Sequence, residues 1–288
     1  MYNFKYLTEK IANAEIRKFP FDHIYIENFF SNEHFEELVK CSQIDLKESK
    51  DDRDLIDRIL SSGYKIMSFP GCITNKEQYL KWHKDKKVSH LQSTSNEGFG
   101  MVFRLTTFQH PLLSSINEYL IGPEFNQIIA DKFKIDINLC RADAGIQKYL
   151  DGYEISPHPD IRKKATTFMV NINPGEETEL IDYHTHYMKF VNDFKYVEEF
   201  WKNNKEVDRC WVPWDWCETV FRQTENNSIV IFSPSDSTLH AVKATYNHLL
   251  TQRTQLYGNL WYKNGTKESS TKSKLKWEYF NEIKNNNK

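Results

Sequence analysis

From about residue 137 the chain is written as short β-like runs, INLCRADAGIQKYL, KATTFMVNINP, NSIVIFSP and RTQLYGNLWYK, with turn residues between them. Strands at such spacing predict a sandwich or a barrel. In KKATTFMVNINP the alternation puts Thr167, Met169, Asn171 and Asn173 on one face and Phe168, Val170 and Ile172 on the other. A polar-leaning row inside a barrel is costly unless something bound there needs hydrogen bonds. Residues 1–136 read as a support region. His23 to Phe29 forms a strand, and Ser31 caps a helix whose apolar stripe is Phe35, Leu38 and Val39. The charged stretch 44–58 reads as a solvated helix or loop, and 98–133 as a helical region broken at Pro111 and Pro123.

The β-rich part carries an ordered set of polar residues. His158-Pro159-Asp160 is followed by His240 in NSIVIFSPSDSTLHAV and by Arg253 at the head of the last run. Two imidazoles and one carboxylate are the ligand set that holds non-haem Fe(II) on one face and leaves the other open. Positions i and i+2 of one strand point to the same side, so a His-x-Asp pair can supply two of the three ligands. Upstream, Tyr149-x-x-Gly152 gives the chain a glycine at which to turn into the ligand strand. Ser-Pro-His-Pro-Asp is also good loop chemistry, and only the distal histidine and arginine raise it above chance. His184-x-His186 has metal-binding spacing of its own but follows Asp160 too soon for the expected strand pairing; His248 reads as a turn between the last strands. Tyr257, Asn259 and Trp261 share the parity of Arg253, and Tyr153, Arg162 and the tryptophans near 211–216, Trp214 among them, are further candidates for substrate contact.

The set HxD, distal His, then Arg resembles the Fe(II)- and 2-oxoglutarate-dependent oxygenases, in particular their prolyl-hydroxylase-like branch, over residues 140–262. The resemblance implies a double-stranded β-helix (jelly-roll) core, so the expected fold is α+β, mainly β, with N-terminal helices packed on it. It implies that His158, Asp160 and His240 ligate iron and that Arg253 pairs with the distal carboxylate of 2-oxoglutarate, a task suited to a planar guanidinium. It places Tyr149 near the cosubstrate, with Thr167 and Asn171 on the matching strand. Fe(II), 2-oxoglutarate and O2 are the implied cofactors, with ascorbate as an auxiliary candidate. The implied reaction is hydroxylation, since halogenating relatives replace the aspartate. Arg253-Thr254-Gln255 departs from the Arg-x-Ser of many relatives, and Glu176-Glu177-Thr178-Glu179-Leu180 stands where a Gly-Gly-Glu-Leu is common.

Length and composition set the frame. The 288 residues suit one large domain: support over 1–136, a catalytic core over 137–262 with an insertion at 175–226, and a Lys/Asn-rich tail or capping helix over 263–288. The insertion, with Trp211, Trp214 and Trp216, is a lid or a cover for a sheet face. With 38 basic and 40 acidic residues, nothing marks a nucleic-acid or membrane partner. Five cysteines without a CxxC pair argue against a disulfide scaffold or thiolate zinc site. No leader-like or membrane-spanning segment is expected, so the expected location is cytoplasmic. A small polar metabolite, such as an amino acid or derivative, is the leading substrate class, with a protein or peptide side chain such as proline as the alternative. From another class, a cupin-type metal-dependent isomerase or small-molecule binding module competes.

Overall fold

The computed structural model describes residues 2–68, 72–85 and 99–263; the expected capping helix of the tail lies outside the described residues. Among the described residues eleven strands are arranged in two sheets. The first eight to consider are β4 (Cys140–Tyr149), β5 (Glu154–His158), β6 (Lys164–Asn171), β7 (Thr185–Phe190), β8 (Cys217–Arg222), β9 (Ile229–Phe232), β10 (His240–Lys243) and β11 (Arg253–Tyr262). They nest as antiparallel pairs, β4 with β11, β5 with β10, β6 with β9 and β7 with β8. That winding is a jelly roll.

The larger sheet is extended by β1 (His23–Ile26) on β9, and by β3 (Val102–Leu105) and β2 (Tyr64–Ile66) beyond β4. Its outer face carries the main core. Ile146, Phe168, Val170, Ile172, Ile231 and Leu256 pack against residues of α1 (Lys5–Asn13), α5 (Pro111–Ile121) and α6 (Pro123–Lys132), including Ile11, Leu113, Ile116, Phe125 and Ile129. The alternation in β6 thus sorts as the sequence predicts. Fully burying a side chain such as Phe168 contributes about 1.5–3 kcal/mol. Ser31 caps α2 (Asn32–Lys40), accepting from His34 N.

Three expectations change. The 98–133 region is not all helical: Val102–Leu105 is a strand. Pro111 and Pro123 open α5 and α6 at their first turns, where a missing N–H costs nothing, so they start helices and do not break one. Residues 175–226 contain β7 and β8, two of the four strands of the smaller sheet, so the true insertion is the 191–216 connection with α7 (Tyr196–Asn203). The 44–58 stretch contributes to α3 (Asp52–Ser61), which is amphipathic, with Leu55, Ile56 and Ile59 buried. Among the described residues no helix is long and apolar enough to cross a membrane.

One buried cation where the core meets the support region has a measurable consequence. Lys148 of β4 points away from the barrel interior, fully buried, and donates to Ile44 O at 2.6 Å and Thr254 Oγ1 at 2.8 Å. Burial without a carboxylate partner lowers its pKa to about 7. Between pH 7 and about 10.4 the unfolded chain binds a proton that the native chain lacks, so stability rises with pH across that window. Below pH 7 the full cost of the buried charge is present. Lys148→Met should remove most of this rise, on the order of 3 kcal/mol, as read by urea denaturation of the two proteins at pH 7 and pH 9.5.

Candidate metal centre and its cavity

His158 ends β5 and His240 opens β10, and the two are direct cross-strand partners. Their ring centroids lie 4.3 Å apart. Asp160 follows in the turn, at φ +22°, and one carboxylate oxygen lies 3.7 Å from His158 Nε2. The aspartate therefore does not share the ligand strand, as simple i, i+2 alternation assumes; a positive-φ turn aims it back at the histidines. Ligand atoms of all three residues lie within 4.8 Å of one another, and all three are buried.

The surroundings fix the donor atoms. His158 Nδ1 donates to Ser156 O at 2.9 Å and His240 Nδ1 to Thr238 O at 3.0 Å, which leaves both Nε2 lone pairs facing the centre. Burial, followed by the neighbouring imidazole, lowers the pKa of His158 to about 3, and burial lowers that of His240. Both shifts favour the neutral ring that ligation requires. Burial pushes the Asp160 carboxyl up, but Lys164, His240 and His158 outweigh it and hold it below the usual range. Thr167 Oγ1 donates to Asp160 Oδ2 at 2.5 Å, and Lys164 Nζ to Oδ1 at 2.6 Å. The donor set, tautomers and outer hydrogen bonds all fit a divalent metal.

These residues line a cavity of about 360 Å³ between the sheets. At its wall Arg253, 2 % exposed, opens β11 opposite Tyr149, with its guanidinium carbon 4.3 Å from the Tyr149 ring centroid. Nη2 donates to Thr185 Oγ1 at 3.0 Å, while Nη1 is buried without a hydrogen-bond partner. No ion pair joins Arg253 to a carboxylate among the described residues. A buried guanidinium without a counter-charge costs several kcal/mol, a cost that an anion entering the cavity at that point would offset.

The structure brings Tyr149, Tyr153, Tyr257 and Trp261 to the cavity wall with the triad and Arg253. It does not bring Thr167, Asn171, Arg162 or Trp214 there. Thr167 stands behind Asp160. Asn171 donates to Gln223 O at 2.8 Å and accepts from Gln255, so its amide is committed to the sheet interior. Arg162 holds the insertion, donating to Trp201 O and Val207 O and lying 3.3 Å from Asp236. Trp214 donates to Glu154; Trp211 lines the cavity in its place, 6.1 Å from His158. Val212 N donates to Pro157 O, which ties the insertion to the ligand strand.

Sequence reasoning missed Lys164, Arg104, Asp143, Gln147 and Gln255 as lining residues. Extending the parity of Tyr149 back along β4 finds Gln147 and Asp143, and that of Arg253 finds Gln255. Arg104 was hidden in a run read as helix. It crosses β4 over Gly145, where a Cβ would lie 2.6 Å from Arg104 Nε. The turn glycine also has a steric reason: Gly152 sits at φ +79°, and a Cβ there would lie 2.3 Å from the Trp82 ring. Gly152→Ala should cost on the order of 2–4 kcal/mol, seen as a lowered thermal midpoint and weaker metal binding.

A second His/Asp cluster, Asp52, His83 and His248, ties α3 and α4 (Lys76–Asp85) to the β4–β5 and β10–β11 turns. His248 Nδ1 accepts from Asp151 N at 3.0 Å, so Nε2 carries the proton that it donates to Asp52 at 2.9 Å. Both nitrogens of His83 also face carboxylates, Nδ1 at 2.6 Å from Asp52 and Nε2 at 2.9 Å from Asp151, so neither imidazole turns a lone pair to an open centre, unlike at His158 and His240. His184 and His186 are also engaged elsewhere, with Thr178 O and Thr219 Oγ1.

No family model and no curated protein matches the sequence. Among solved structures the chain is similar to a prolyl-4-hydroxylase from Pseudomonas putida, at 10 % identity over 90 % of this chain and 99 % of that one, with a TM-score of 0.43. It is also similar to an oxidoreductase of the 2OG-Fe(II) oxygenase family from Burkholderia pseudomallei, at 11 % identity, 76 % and 95 % coverage and a TM-score of 0.32. A third is a Trichoplax adhaerens prolyl hydroxylase in complex with a hypoxia-inducible-factor peptide, at 9 % identity, 86 % and 99 % coverage and a TM-score of 0.31.

Proposed function

We propose that this chain is an Fe(II)- and 2-oxoglutarate-dependent dioxygenase that hydroxylates an unactivated C–H of a small polar metabolite, such as an amino acid or derivative, releasing succinate and CO2. The observation that carries the reading is the juxtaposition, in one cavity, of a buried His2Asp set with neutral, inward-facing imidazoles and a buried arginine that has no carboxylate partner. A cupin-type isomerase or binding module accounts for the histidines but gives no role to that arginine.

His158 Nε2, Asp160 and His240 Nε2 would hold the iron, which with 2-oxoglutarate and O2 supplies the oxidation of the C–H bond. Arg253 binds the far carboxylate of the cosubstrate through Nη1, with the Tyr149 ring stacked beneath the guanidinium. Thr167 and Lys164 keep the Asp160 carboxylate oriented and ionised. Met169, Ile155 and Val242 supply apolar wall that keeps water from the reacting centre. The cavity volume suits a metabolite more than a peptide groove.

Anaerobic addition of Fe(II) and 2-oxoglutarate should produce a weak visible charge-transfer band, and His158→Ala should abolish it. A folded, iron-loaded protein without that band sinks the reading. Aerobic incubation with a metabolite panel, read by mass spectrometry for a product heavier by one oxygen atom, then identifies the substrate.

A further inference from the structure

Five charged side chains among the described residues line the cavity: Arg104, Asp143, Asp160, Lys164 and Arg253. Arg104 and Asp143 cancel as a pair at 2.6 Å, and Asp160 and Lys164 cancel at 2.6 Å. Arg253 is left over, and a histidine that donates Nδ1–H to a carbonyl and offers Nε2 to a metal, as His158 and His240 do, adds no charge, so the cavity carries one net positive charge. A divalent metal adds two charges and 2-oxoglutarate removes two, so that single positive charge persists in the loaded site. Its position would change. Arg253 would face the cosubstrate, and Asp160 would divide its charge between the metal and Lys164. The Lys164 ammonium is then the cation without a full counter-charge.

Lys164 has little recourse to water. Its side chain is 11 % exposed, and the ammonium lies 5.4 Å and 5.5 Å from the Tyr257 and Trp261 ring centroids, 2.9 Å from the Tyr257 hydroxyl oxygen. An independent observation agrees in sign. Two cavity-lining side chains have a buried donor with no hydrogen-bond partner, Trp211 Nε1 and Arg253 Nη1. Neither can act as an acceptor. A third unpartnered atom, Asn259 Nδ2, exchanges with Oδ1 when the amide turns over to meet the Thr167 hydroxyl, so it fixes neither sign. Outside the lining, Arg162 and Arg209 share one carboxylate, Asp236, which adds to the positive field.

We propose that the prime substrate is a monoanion, a compound with one carboxylate, and that Lys164 holds that carboxylate with Trp211 Nε1–H as a second donor. This rests on the iron and 2-oxoglutarate reading above. A neutral peptide side chain would leave the ammonium and the indole N–H unanswered. A phosphomonoester dianion would overshoot the single charge.

The test uses the full chain loaded anaerobically with Co(II) and saturated with 2-oxoglutarate, both verified first from the cobalt spectrum. Failure at that stage overturns the oxygenase reading, and this proposal with it, before any probe is added. Hexanoate, hexanamide, hexyl phosphate and a capped proline dipeptide are then compared by ligand-detected NMR titration. Hexanoate should bind at least about tenfold more tightly than the other three. Lys164→Met should bring hexanoate and hexanamide to within about twofold, while Lys164→Arg should keep most of the preference. Equal binding of hexanoate and hexanamide, tighter binding of the phosphate or the dipeptide, or a preference that survives Lys164→Met overturns the proposal. The selectivity ratio is insensitive to a general loss of stability, and Lys164→Arg covers the case in which the methionine variant does not fold.

Discussion

Arg253→Met should weaken 2-oxoglutarate binding by two to three orders of magnitude, about 3–4 kcal/mol, while leaving Co(II) affinity within about threefold of the parent. The guanidinium has one donor on Thr185, a tyrosine ring beneath it and a buried Nη1 with nothing to bond. Its burial is a standing cost in the free protein, recovered only when an anion enters. The same substitution should therefore raise, or leave unchanged, the thermal midpoint of the protein without cosubstrate, and abolish the additional rise that 2-oxoglutarate produces. Isothermal titration of metal and cosubstrate, with thermal scans of each state, checks all four outcomes. Loss of metal binding in this variant would show that the arginine supports the metal centre instead.

Asp160→Ala should have the opposite effect on the free protein. Asp160 is buried, accepts from Thr167 and Lys164, and answers the Lys164 charge. Removing it leaves an ammonium buried and unpaired, with a cost of about 3–5 kcal/mol, so the thermal midpoint should fall by many degrees. Metal affinity should fall by more than about a hundredfold, since loss even of an outer-shell partner costs 10–100-fold. Asp160→Ala/Lys164→Met separates the two effects: it should recover most of the stability and none of the metal affinity. If the single variant kept its stability, the Asp160–Lys164 pair would not be the buried pair described above.

Much of this site was legible before the fold. His158, Asp160, His240 and Arg253 stand in order in the sequence; the alternation in β6 put Phe168, Val170 and Ile172 on the face that packs in the outer core, and Tyr257 and Trp261, sharing the parity of Arg253, line the cavity. Alternation failed where the backbone leaves the regular pleat. Asp160 lies past the end of β5 at positive φ, and the β6–β11 register shifts between Leu260 and Trp261. That shift sets Lys164 opposite Trp261 and on the inner face, although even numbering along β6 puts it with Phe168 on the outer one. Trp211 and Trp214 lie in an irregular connection with no period from which to choose between them.

The sequence by itself determined the candidate ligand types, their order along the chain and the arginine proposed as anchor, because these depend on residue chemistry and on a strand period of two. It also determined a β-rich core with helices at its N-terminal side. Only the tertiary structure decided that residues 175–226 supply two strands of the smaller sheet, that Thr167 serves Asp160, and that Asn171 is committed to Gln223 and Gln255. It alone brought Arg104, Asp143 and Lys164 to the cavity. The physical reason is the same in each case. Which strand pairs with which, and where a bulge or turn reverses the side-chain parity, depend on contacts between residues tens of positions apart, and no local pattern encodes them.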